Sequence, residues 1–240
     1  MIESFGNSRQ NQLSFFTRFV CHFAVVTLIG IVAFLKPACA VSSTALTVRV
    51  YNYARVPQAI LTLAEREANR ILNKSGSRVI WLDCLQPGPS SGDKMLCDSG
   101  WSEDLPSVRI LSGKASRQSQ DLEYGSATIP VLATISYDRI LLRATRDNFP
   151  AEASTLLGCV IAHELGHLLL GGAFHAAAGI MQPVWGHEQI RQAKMGNLQF
   201  TAQQSDSLNK KIGLLATRQE VILAMIGPIE VQIEEMFRSD

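Results

Sequence analysis

The chain has almost no charge of one sign to spare. Its 240 residues carry 22 Lys and Arg against 21 Asp and Glu, and charged residues make up only 18%. A nucleic-acid-binding protein concentrates basic residues in a patch or stripe, and no such excess is present. Internal repeats and low-complexity tracts are also missing, which excludes solenoid and fibrous architectures. Cysteines number five. Cys84 and Cys97 have no second pair nearby, so a cysteine-built zinc module is excluded. The apolar run Val221–Ile226 near the C-terminus is too short to span a membrane.

The longest apolar run lies at the N-terminus, from Phe19 to Leu35, behind Arg9 and Arg18 and ahead of Lys36-Pro37-Ala38-Cys39-Ala40. A positive flank, an apolar run and an Ala-x-Ala site describe a secretory signal peptide over residues 1–40, cut after Ala40. A membrane anchor through residues 19–35, left uncleaved, is the alternative. Both imply export, to the outside or to the cell envelope. Residues 41–240 are long enough for one domain with a sizeable core. Few residues separate Ala40 from the first expected strand, which leaves no room there for a long inhibitory propeptide.

Leu46, Val48 and Val50 alternate, so Ala45–Ala54 reads as a strand. Pro57 opens a helix whose apolar residues keep helical spacing to Asn73, and Ser75-Gly76 stops it. Arg78–Cys84 is a second strand, and strand–helix–strand implies a parallel pair with a crossover helix. Gln86–Gly100 is rich in Pro, Gly, Ser and Asp and reads as a surface loop. Cys84 and Cys97 flank it, and in an exported protein a disulfide between them would staple it. Ser107–Leu111 is a third strand. Strand signals return between Thr128 and Leu142, strongest over Ala133–Leu142. Two helical stretches follow, Thr201–Leu215 and Gln219–Phe237, the latter broken at Gly227-Pro228.

One stretch carries chemistry. His163-Glu164-x-x-His167 interrupts an otherwise apolar helix that runs from Phe149-Pro150 to about Leu170. Residues i and i+4 share a helix face, so two imidazoles there can reach one metal ion. Glu164 is rotated by about 100° around the helix, where it can hold a metal-bound water instead. Buried polar groups need partners, and a metal satisfies this set. Gly171-Gly172 ends the helix, His175 follows, and then Gly179-Ile180-Met181. A catalytic zinc uses three protein ligands and one open position, and His175 is the best third ligand. Glu188 is the competing one, since carboxylate also binds zinc. His187 reads as a surface residue, Cys159 as a small buried hydrophobe, and Trp185 as core.

The series His-Glu-x-x-His, glycine, third histidine and turn methionine resembles the metzincin clan of zinc metallopeptidases. By matching positions, the resemblance makes His163, His167 and His175 the ligands of one catalytic zinc ion, Glu164 the general base and Met181 the methionine of the turn. The clan motif places glycine where Leu170 stands, and its third histidine falls two residues before His175. The loop here is longer. In a second class, the gluzincins, a glutamate on a later helix completes the site, and Glu188 fills that role. The resemblance implies an α+β fold: a small twisted mixed sheet packed on the active-site helix, with a mainly helical C-terminal part. It also implies a substrate-binding strand at the sheet edge, within Tyr124–Tyr137. The expected activity is hydrolysis of a peptide or protein substrate. A zinc-stabilised binding domain without hydrolysis is the reading from another class, and the sequence assigns no oligomeric state.

Overall fold

The computed structural model describes residues 45–74, 76, 78–86, 91–113, 124–146, 153–172 and 175–238, with side chains described to residue 224. The signal-peptide and anchor expectations lie outside the described residues. All described elements belong to the unit Ser43–Asp240.

Strand β1 (Ala45–Asn52) leads through helix α1 (Gln58–Asn73) into β2 (Arg78–Asp83). The two strands pair in parallel, Ala45 opposite Arg78 and Val50 opposite Asp83. The crossover helix turns Leu61, Ala64, Ala68, Ile71 and Leu72 towards the core, a stripe at helical spacing. Strand β3 (Ser107–Leu111) pairs with the other side of β1, again in parallel. Strands β4 (Gly125–Thr128) and β5 (Leu132–Ser136) complete a five-stranded sheet in the order β2-β1-β3-β5-β4. Among the described strands only β4 runs antiparallel, and it forms one rim.

Helices α3 (Tyr137–Arg146) and α4 (Ala153–Leu170) follow, then α5 (His187–Lys194) and α6 (Ala202–Arg238). Helix α4 carries the motif. It is long and apolar enough to cross a membrane, yet 89% of it is buried inside the fold. A helix apolar on all sides is a core helix, and α4 packs between α1, the β4–β5 side of the sheet and α6. Its approach to α1 is close because Gly158 has no side chain: a Cβ there would stand 2.5 Å from the Ala64 carbonyl oxygen. The result is the expected α+β architecture, a small mixed sheet packed on the motif helix, with a mainly helical C-terminal part.

Three expectations need correction. The segment Gln86–Gly100 holds a helix, α2 (Ser91–Asp98). Its loop-like composition is overridden by Leu96, which packs with Leu82 and Leu105 beside Cys84 and Cys97 in a small second core. The strand signals after Thr128 end at Ser136. Beyond it Tyr137, Ile140 and Ala144 are buried at helical spacing, which places α3 where a strand was expected. Helix α6 runs through Gly227-Pro228 without a break. Its start is a capping box: the Gln204 N–H donates to Thr201 Oγ1 at 3.3 Å, and the Thr201 N–H donates to Gln204 Oε1 at 3.0 Å.

Candidate metal centre

Helix α4 projects His163 and His167 from one face, with ring centroids 4.7 Å apart. Gly171 takes φ +76° and ends the helix, since a side chain is strained in that conformation. The chain then returns His175 to the two helical rings. Its centroid lies 5.6 Å from that of His163 and 4.9 Å from that of His167. The ligand atoms of the three histidines all lie within 4.8 Å of one another. His163 and His167 are buried, and His175 is exposed, so the cluster opens to solvent on that side.

Backbone carbonyls set the tautomers of the two buried rings. His163 Nδ1 is 2.7 Å from the Ile180 carbonyl oxygen, and His167 Nδ1 is 3.1 Å from that of Gly172. A carbonyl only accepts, so each Nδ1 carries the proton. In the neutral rings each Nε2 is then a bare lone pair. Those two Nε2 atoms stand 3.1 Å apart. Two acceptors at that distance repel unless a cation lies between them. Three imidazoles without a thiolate suit zinc, and Nδ1–carbonyl bonds such as these orient ligand rings.

Electrostatics agree with that assignment. Burial, chiefly, pushes the His163 pKa from 6.5 down to about 4, and the neighbouring His167 and His175 act in the same direction. The bond to Ile180 opposes them. Burial also lowers His167. Both rings are therefore neutral and ligand-ready at neutral pH. Between pH 6.5 and about 4 the unfolded chain binds a proton that folded His163 refuses. The metal-free protein should therefore lose stability as pH falls through that window, by roughly 3 kcal/mol from this group. Urea midpoints at pH 7 and pH 4 measure it, and equal midpoints would contradict it.

The turn after His175 packs against the motif helix. Gly179 has φ +76°, and the Ala176 N–H donates to the Met181 carbonyl at 2.8 Å. Met181 is fully buried. Its sulfur packs against the motif helix where Gly166 lacks a side chain: a Cβ there would be 2.6 Å from Met181 Sδ and 2.9 Å from Phe200 Cε1. Trp185, also buried, donates from Nε1 to the Ile180 carbonyl at 3.2 Å, the same oxygen that holds His163. Its ring meets His163 edge-on at 5.6 Å. The sequence reading placed Trp185 in the core but did not find this contact, nor the roles of Ile180, Gly166 and Phe200. A glycine inside an apolar helical motif is the one signal that could have raised Gly166.

Glu164 is buried, at 4% exposure. It is not one of the three clustered ligands. Glu188 lies apart from the cluster. It is exposed on α5, where its carboxylate binds Arg191 at 2.7 and 2.9 Å and Gln192 at 2.9 Å. Glu188 is not among the three clustered groups, and the adjacent His187 is exposed as well. Cys84 and Cys97 form a disulfide across a sequence separation of 13. Cys159 is buried and unbridged on α4, and burial holds its thiol far above the usual range.

No protein-family model and no curated protein matches the chain. Among solved structures it is similar to an archaemetzincin from Methanopyrus kandleri, with 17% identity over 73% of this chain and 99% of that one, at a TM-score of 0.46.

Proposed function

We propose that the chain is an exported zinc metallopeptidase of the metzincin type, with residues 1–40 as its signal peptide and residues 41–240 as one catalytic domain. The observation that carries the reading is the convergence of His163, His167 and His175, with their ligand atoms within 4.8 Å, beside the buried carboxylate of Glu164. The three imidazoles hold the metal through nitrogen lone pairs that the Ile180 and Gly172 carbonyls orient. Zinc, when bound, lowers the pKa of its water towards neutrality and polarises the scissile carbonyl. Glu164 lies off the ligand face of α4. Its carboxylate accepts the proton of the attacking water and passes it to the leaving amine. Met181 and Phe200 support the helix from below and keep that side dry. Among the described strands β4 is the rim of the sheet, the position at which an extended peptide can pair. The Cys84–Cys97 disulfide supports export, since such bonds persist in oxidising compartments.

The test is metal removal. A chelator should abolish cleavage of a mixed peptide library by the purified protein, and added zinc should restore it. Cleavage that continues at full rate in the metal-free protein would sink the proposal.

A further inference from the structure

Strand β4 opens with Gly125, paired with Ile135 of β5. Glycine weakens a strand, and its use there marks a close approach to the backbone. The group that approaches is the carboxylate of Glu164. A Cβ at position 125 would lie 2.6 Å from Glu164 Oε1, 2.8 Å from Glu164 Cδ and 2.7 Å from the carbonyl oxygen of Thr134. Each distance is shorter than Cβ atoms tolerate. The Glu164 carboxylate is the far end of a side chain and can swing aside, whereas the Thr134 oxygen belongs to the backbone of β5 and does not yield.

We propose that Gly125 is a positioning residue for Glu164. The side chain it lacks is the notch that fixes where the carboxylate stands beside the three imidazoles. The catalytic consequence rests on the peptidase reading of Glu164, whereas the seating of the carboxylate does not. Any larger residue at 125 must turn Glu164 away from its present place or lift the rim strand.

The experiment compares Gly125→Ala in the full chain with the same change in a Glu164→Ala background, by zinc content, urea midpoint and peptide kinetics. Zinc content should be unchanged, because the atoms nearest a side chain at 125 belong to Glu164 and Thr134 and not to a histidine. The kcat should fall by about 10²-fold, the cost of a displacement near 1 Å, with KM nearly constant. The loss in urea midpoint should be smaller in the Glu164→Ala background, where the shortened side chain leaves room. Residues in contact couple in this way, and the remaining loss belongs to the Thr134 carbonyl. If Gly125→Ala fails to fold, recovery of folding in the double variant supports the seating, and failure of both overturns it. Equal losses in the two backgrounds would overturn it too. A raised KM with unchanged kcat would assign Gly125 to the substrate instead of the base. If the parent cleaves nothing, the peptidase reading falls, and the stability comparison still decides whether Gly125 seats Glu164.

Discussion

Glu164→Gln should bind zinc like the parent and cleave peptides about 10²–10⁴-fold more slowly, the range that a positioned general base contributes. Gln has nearly the same shape, so the notch beside Gly125 stays filled and the helix stays packed. The three clustered nitrogens belong to His163, His167 and His175, so the metal keeps its ligands. What changes is one property: an amide cannot take a proton from water near neutral pH. The measurement pairs zinc content with the rate on one peptide. A variant that folds, holds zinc and cleaves at the parental rate would remove Glu164 from the reaction.

Arg49→Met should destabilise the fold by about 4 kcal/mol, as the loss of one member of a buried polar set does. Arg49 sits in β1 with no exposed surface. Its guanidinium donates to Ser107 Oγ at 2.9 Å, the Leu96 carbonyl at 3.1 Å, and the Ser99 carbonyl at 2.7 Å. Longer bonds reach the Gly100 and Leu105 carbonyls at 3.3 and 3.4 Å. The charge also lies 5.4 Å from the centre of the Trp101 ring. Burial lowers its pKa, yet arginine stays charged. One side chain thus ties β1 to α2 and to the segment that leads into β3. Methionine fills much of the volume but takes the guanidinium away from the Ser99 and Gly100 carbonyls, while the Leu96 and Leu105 carbonyls keep the Ser99 and Ser107 hydroxyls. Lysine should recover little, because one ammonium cannot span the same fork. Urea unfolding measures the loss, and a change under 1 kcal/mol would show that water replaces the guanidinium.

The sequence reading reached the sheet, the crossover and the motif helix where periodicity was strong. Leu46, Val48 and Val50 gave β1, and the apolar stripe of α1 gave the crossover. It failed where tertiary contacts outweigh local preference. Leu96 packs a Ser-, Gly- and Asp-containing stretch into a helix beside a disulfide. Ile140 and Ala144 bury one side of a segment whose β-branched start resembled a strand. His163, Glu164 and His167 were legible because their spacing is a property of the helix itself. His175 could be proposed from the glycine turn before it, although its loop is longer than the clan motif. The contacts around these residues were not legible. The shared Ile180 carbonyl, the Gly166–Met181 approach and the notch at Gly125 arise between segments far apart in sequence. Arg49 was silent for the same reason: an arginine within a strand reads as a solvent-facing residue until the fold covers it.

The central claim is that three histidines from two segments form one metal site. Metal content of the purified protein beside its His175→Ala variant tests it most directly. The account predicts one tightly bound zinc in the parent and at least about tenfold weaker binding in the variant, since a catalytic site has three protein ligands and no spare. Equal zinc affinity in both would take His175 out of the shell, and absence of zinc from the parent would contradict the account altogether.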